Sequence, residues 1–228
     1  MSIRPVPPRQ ANVLEHALFL LASGGKKSLT SARLAKAARC SKESIYKWFG
    51  NREQLLTAMV SYQTAKVRFE SDGKRLTPVS LYDHLLVFAQ DLLRVLAEDT
   101  WLSLTIFAIT QKNQGKATLA KLVLESGSDV VECRGKLLIE AGQRAGLLRL
   151  DEIDEAYQAL YGLVVSDIHV RMLLGGPAPR DIARRAERAV RSFIYLHAPD
   201  NNPLEAIDLV GSVARNQPAY RESNRNPM

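Results

Sequence analysis

The segment LTSARLAKAARCSKESIYKWFGNREQLL, residues 29–56, constrains this chain more than any other stretch, because it marks the starts of three short helices in quick succession. In the first, Leu34, Ala35 and Ala38 form a narrow apolar face while Arg33 and Lys36 point away. Thr30 or Ser31 supplies a side-chain oxygen for the open amides of its first turn, and Ser41 does the same for a second helix over 42–49. Ile45 and Phe49, four residues apart, dock that second helix inward and leave Lys42, Glu43, Ser44, Tyr46 and Lys47 outside. Asn51 and Arg52 open a third helix. The outer residues suit DNA: lysines neutralise phosphates or donate to guanine edges, Ser and Tyr hydroxyls bond phosphate oxygens, and helix amino termini present free amides at a positive dipole end. An ordinary helical hairpin with a solvated charged face has the same local pattern.

Charge distribution favours the DNA reading. Residues 1–60 carry ten basic and three acidic side chains, which is the protein's whole formal charge of +7, and the charges of the remaining chain cancel. A basic amino-terminal module joined to an electroneutral body is the arrangement expected when one part must meet a polyanion and the other must not.

The order of a first helix ending in Gly, then T-x-x-x-L-A-x-A-A, a short turn, S-K-x-S-I-Y-x-W-F and N-R-E-Q-L-L resembles the DNA-binding domain of TetR-type transcriptional regulators over roughly residues 11–60. The resemblance implies a dimeric, ligand-responsive repressor whose two recognition helices enter successive major grooves of a palindromic operator. Carried over by position, it implies that Thr30, Tyr46 and Arg52 hold phosphates, that Lys42, Glu43 and Lys47 face base edges, and that Ser31, Arg33, Ser41 and Ser44 are further contacts. The chain departs from the family in the turn, where Arg39 and Cys40 replace the usual Gly and aliphatic residue. Arg in a left-handed turn costs roughly 1–2 kcal/mol. Either the turn geometry shifts or the guanidinium recovers the cost at a phosphate. Cys40 reads as a small packing residue.

A chain of 228 residues with 46% hydrophobic and 24% charged side chains is ordinary for a globular protein of one or two domains. Cys40 and Cys133 form no C-x-x-C pair, so neither a disulfide framework nor a metal site is expected, and the usage suits a reducing cytoplasm. Arg4 and Arg9 ahead of ALFLLA imitate a signal peptide, but Glu15 and His16 interrupt the apolar part. Leu14, Ala17, Leu18 and Leu21 instead give an amphipathic helix ending at Gly24 and Gly25, and no segment has the apolar length of a membrane span. His16, His84, His169 and His197 are scattered, with no nucleophile elbow or carboxylate dyad, so no enzyme and no cofactor is expected.

The periodicity predicts an all-α protein of about nine or ten helices: a DNA-binding domain over 1–56, a connecting helix over 52–70, a body over 57–199, and an extension over 200–228 with a short helix near 204–214 and a mobile end. A break at Ser71, Asp72 and Gly73 precedes a helix over 78–98 with Leu81, Leu85, Phe88, Leu92 and Val95 along one stripe. Helices follow over 100–111 and 117–145, the latter with Val130, Val131, Leu137 and Leu138 as core candidates and Gly127 as a weak point. The next stretch, 151–172, is apolar nearly all round in its middle, so one face packs on its own core and the other on a second subunit. Asp181 opens the last main helix. The resemblance implies a homodimer through the helices at about 152–174 and 180–197, and residues 82–197 look similar, more loosely, to an AefR-like carboxy-terminal domain. A monomer with both helices interior is the alternative.

Polar or aromatic interruptions of apolar faces nominate Tyr82, Phe88, Trp101, Phe107, Gln111, Cys133, Tyr161 and His169 as contacts for an apolar or amphipathic small-molecule effector, although aromatics at helical spacing more often form core. A ligand among the body helices would swing the connecting helix and change the separation of the recognition helices. A sequence-tolerant DNA-architectural or adaptor protein is the alternative function.

Overall fold

The computed structural model describes residues 6–69 and 76–199, and these form eleven α-helices and one π-helical turn without a strand among them. The first four helices are α1 (Pro8–Ser28), α2 (Ser31–Ala37), α3 (Lys42–Phe49) and α4 (Arg52–Thr64). Leu14, Ala17, Leu18 and Leu21 of α1 are almost wholly buried, each leucine stabilising the fold by roughly 1.5–3 kcal/mol. Gly25 breaks the helical path with φ 59°, a conformation open to glycine. Leu34, Ala35, Ile45 and Phe49 close the small core beneath α2 and α3 as their spacing predicts.

The body comprises α5 (Pro78–Ala97), α6 (Asp99–Asn113), α7 (Thr118–Val123), α8 (Asp129–Arg144), α9 (Ile153–Val165), α10 (Ile168–Leu173) and α11 (Ile182–His197). Thr77 caps α5 by accepting from the Ser80 amide at 3.2 Å, with Pro78 at the first helical position, and the Asp181 carboxylate accepts from the Arg184 amide at 2.9 Å to start α11. Helix α5 is central, packing against α6, α8, α9, α10 and α11, and its stripe from Leu81 to Val95 is buried. Helix α1 lies along α6, and α4 lies against the π turn, so one continuous apolar core runs through both modules.

Three stretches differ from the sequence expectation. The connecting helix stops at Thr64 and not at residue 70: the Lys66 and Val67 amides bond three residues back, to Gln63 and Thr64, tightening the last turn. The 117–145 stretch is divided by the π turn at Leu124–Ser128, which holds Gly127 against Trp101; a Cβ on Gly127 would stand 3.2 Å from the Trp101 ring. Val131 and Leu138 are buried, but Leu137 is exposed and Val130 half-buried, because neighbours stand about 100° apart on a helix and the line through Val131 and Leu138 is the one that faces the core. The 151–172 stretch breaks at Ser166, whose φ of 50° ends α9 and redirects α10 onto α5 and α6. The break at Ser71, Asp72 and Gly73, the helix near 204–214 and the carboxy-terminal end lie outside the described residues.

Candidate nucleic-acid interface and body cavity

The turn between α2 and α3 keeps its left-handed geometry with an arginine in it. Arg39 has φ 51°, its amide bonds the Lys36 carbonyl at 3.4 Å, and the Cys40 amide bonds the Ala35 carbonyl at 3.0 Å. That pair of bonds closes α2 in the manner usually left to glycine. Cys40 is half-buried, and burial pushes its thiol above the ordinary range, which fits packing and not reactivity.

Caps fix the start of each of the next helices. Thr30 Oγ1 accepts from the Arg33 amide at 3.3 Å, Ser41 Oγ from the Ser44 amide at 3.0 Å, and Asn51 and Gln54 cap α4 reciprocally at 2.9 and 3.0 Å. The Ser31 and Tyr46 hydroxyls meet at 3.1 Å and tie α2 to α3. An Arg52 Nη donates to the Leu29 carbonyl at 3.2 Å, which fixes the guanidinium between α2 and α4 with further donors to spare. Thr30, Ser31, Tyr46 and Arg52 therefore converge on one cleft of about 320 Å³, floored by Leu34, Ile45 and Phe49 and bordered by the start of α4. Lys42, Glu43 and Lys47 stand outside that cleft on the exposed face of α3. Glu43 has its acidity strengthened by its own amide and then by Ser41, so it stays ionised at the helix amino terminus as a hydrogen-bond acceptor. Arg33 is exposed and donates to Ser28 Oγ at 3.2 Å, and Ser41 and Ser44 pair at 3.1 Å at the head of α3.

A half-open cavity of about 330 Å³ lies in the body, between the end of α4, the π turn and α9. Val67, Leu92, Val95, Leu96 and Val131 supply aliphatic wall, Trp101, Tyr157 and Tyr161 aromatic wall, and Thr64, Ser128, Glu132 and Gln158 the polar edges. The junction beside it is densely bonded. Arg134, buried on α8, donates to the carbonyls of Thr64 and Val67, both at 2.7 Å, and so closes the end of α4. Thr64 Oγ1 reaches the Ser126 carbonyl at 3.2 Å, Gln63 donates to Thr100 at 2.6 Å, Lys66 pairs with Glu98 at 2.6 Å, and Arg68 grips Asp91 at 2.7 and 3.2 Å.

Residues 13–59 match the family described as bacterial regulatory proteins, tetR family, and residues 83–198 match the AefR-like transcriptional repressor C-terminal domain. A TetR transcriptional regulator from Agrobacterium tumefaciens shares 50% identity, with 86% of this chain and 97% of that one aligned at a TM-score of 0.74. The chain belongs to the TetR family of transcriptional regulators. At lower identity the fold extends to the fatty acid degradation regulator FadR of Bacillus halodurans (14%; 84% and 97% of the chains; TM-score 0.60) and to a TetR-family regulator from Pseudomonas syringae (18%; 85% and 98%; 0.55). No curated protein matches the chain.

In this TetR-family regulator the effector candidates scatter. Trp101 and Tyr161 line the body cavity; Phe107 and Gln111 border a separate groove of about 380 Å³ where α6 meets Leu21 and Gly25 of α1. Tyr82 and Phe88 are core, Cys133 is exposed on α8, and His169 lies half-buried on α10; none of these four lines the cavity. Sequence reasoning missed Tyr157, Arg134 and the π turn. Tyr157 sat in an apolar run with nothing to separate it from core, and Arg134 gave no sign, since a lone arginine in a helix reads as solvated. Among the described residues no cluster of His, Cys, Asp or Glu is arranged to hold a metal, and no helix is long and apolar enough to cross a membrane.

Proposed function

We propose that the protein is a cytoplasmic repressor that grips a palindromic operator as a homodimer and releases it when a small apolar or amphipathic molecule enters the body cavity. The observation that carries the DNA half is the exposed face of α3, with Lys42, Glu43, Tyr46 and Lys47 outward and the Thr30, Ser31 and Arg52 cleft beside it. Thr30, Tyr46 and Arg52 hold phosphates while Lys42, Glu43 and Lys47 read base edges. The stretches at about 152–174 and 180–197, which are α9, α10 and α11, form the dimer contact: Val170, Tyr195 and Leu196 are left exposed on one chain although these helices also pack on the core.

The release half rests on the cavity sharing its wall with the connecting element. Thr64 and Val67 line the cavity and supply the two carbonyls that Arg134 holds. A ligand that parts α4 from α8 disturbs those bonds and the angle of α4, and with it the spacing of the two recognition helices. Selection of bound fragments from genomic DNA tests the reading: an inverted repeat is expected, preferred over bulk DNA by roughly a thousandfold or more. Recovery of fragments without a common motif would instead favour the architectural role. Tyr46→Phe should weaken operator binding by about two- to tenfold through the lost hydroxyl, and Lys47→Ala should weaken it with the dimer intact.

A further inference from the structure

We infer that the body cavity selects an uncharged, bicyclic-sized molecule with a hydrogen-bond acceptor, and rejects carboxylates of the same shape. The inference rests on the cavity being the effector site and deepens that reading to a chemical class. The volume of about 330 Å³ stands at the lower end of the roughly 300–1,000 Å³ of small-molecule sites, which suits a two-ring core and not a nucleotide or a thioester of a large carrier. Three aromatic side chains, Trp101, Tyr157 and Tyr161, face this space with aliphatic wall around them.

Charge decides the class. Among the described residues none that lines the cavity is Lys, Arg or His, and the one lining carboxylate is Glu132. Glu132 is already paired with Lys136 at 2.6 Å, and Lys136 also holds Asp154 at 2.8 Å, so that lysine is committed to two carboxylates. Arg134, on the same helix, is committed to the carbonyls of α4. An anion entering the cavity loses its water and finds no available cation among the described residues, while Glu132 is already held by Lys136. A cation gains little from a carboxylate that is already neutralised, although the aromatic faces offer it some attraction. A neutral molecule loses least and can accept from the phenols of Tyr157 and Tyr161, which burial keeps protonated well past neutrality.

Three probes of one shape test this on the full-length dimer: methyl 2-naphthoate, 2-naphthoate, and (2-naphthylmethyl)trimethylammonium. The chain has two tryptophans, so a Trp48→Phe variant leaves Trp101, in the cavity wall, as the sole reporter of occupancy. The ester is expected to quench it with a Kd about tenfold or more below those of both ions. Gly162→Phe and Ser128→Phe, which place bulk at two separate edges of the cavity, are each expected to abolish ester binding; at Gly162 an added Cβ meets nothing within 4 Å. Equal or tighter binding of either ion, no binding of the ester, or ester binding that survives both variants overturns the inference. Operator release is measured separately: an ester that fills the cavity without lowering operator affinity overturns the effector reading and leaves the charge preference standing.

Discussion

Arg39 carries a positive φ of 51° on an exposed side chain, a conformation that costs an L-residue roughly 1–2 kcal/mol. The turn pays this rather than changing shape, because its two backbone bonds and the docking of Ile45 and Phe49 fix it. Arg39→Gly should therefore stabilise the protein, net of glycine's extra chain entropy of roughly 0.5–1 kcal/mol, and raise Tm by about 1–4 °C. If the guanidinium meets a phosphate, the same variant lowers the salt dependence of operator binding by about one unit of slope; an unchanged slope would take Arg39 off the DNA. Tyr62 supplies a second residue-scale test. Its hydroxyl donates to Glu15 at 2.6 Å across α4 and α1, and burial first, then that carboxylate, push its pKa from 10.0 up to about 12. The folded state thus holds the phenol proton more tightly than the unfolded chain, so this contribution is complete below pH 10 and is lost as pH rises through about 12. Melting curves between those values should fall less steeply for Tyr62→Phe; Tyr82, Tyr157 and Tyr161 shift the same way, so the slope is reduced and not abolished.

At the scale of elements, the helices written by caps and regular stripes were legible and those ended by a distant partner were not. Thr30, Ser41, Asn51 and Asp181 mark their helix starts in the sequence and do so in the structure. The end of α4 has no such local mark, since Arg134 closes it from far along the chain. Arg134→Met should remove one of the two bonds of the Thr64 carbonyl, which keeps the Val67 amide, leave the Val67 carbonyl unbonded, and destabilise the protein by about 1–3 kcal/mol. Faster hydrogen exchange at Ala65 and Val67, partly restored in Arg134→Lys, is the local signature. Ser166 ends α9 with a similar long-range debt, its freed Val164 carbonyl being taken by Arg185 of α11 at 2.9 Å. Gly135 shows the cost of packing at a helix crossing: a Cβ there would stand 2.5 Å from Tyr157 and 3.1 Å from Phe88. Gly135→Ala, which stabilises an open helix by roughly 0.5–1 kcal/mol, should here destabilise by about 1–3 kcal/mol and displace the Tyr157 ring from the cavity wall, measurable by denaturant unfolding and by probe affinity.

On the whole-molecule scale, the segregated charge and the two modules belong together through one core. Leu196 is exposed on α11, so under the proposed dimer Leu196→Glu should leave helicity unchanged while shifting sedimentation toward the monomer and weakening operator binding, because such a dimer would grip its half-sites jointly. Helical content that falls with the assembly would show Leu196 to be core and not contact. The amino-acid sequence by itself determined the all-α class and a basic amino-terminal helical module with its outward side chains, since caps, periodicity and charge act over a few residues, and the resemblance to TetR-type regulators marked that module as DNA-binding. Only the tertiary structure decided where α4 ends, how the π turn seats Gly127 against Trp101, and which aromatics face a cavity. Those depend on groups brought together from some seventy residues apart, such as Thr64 and Arg134, and packing between helices leaves no periodic trace along either one.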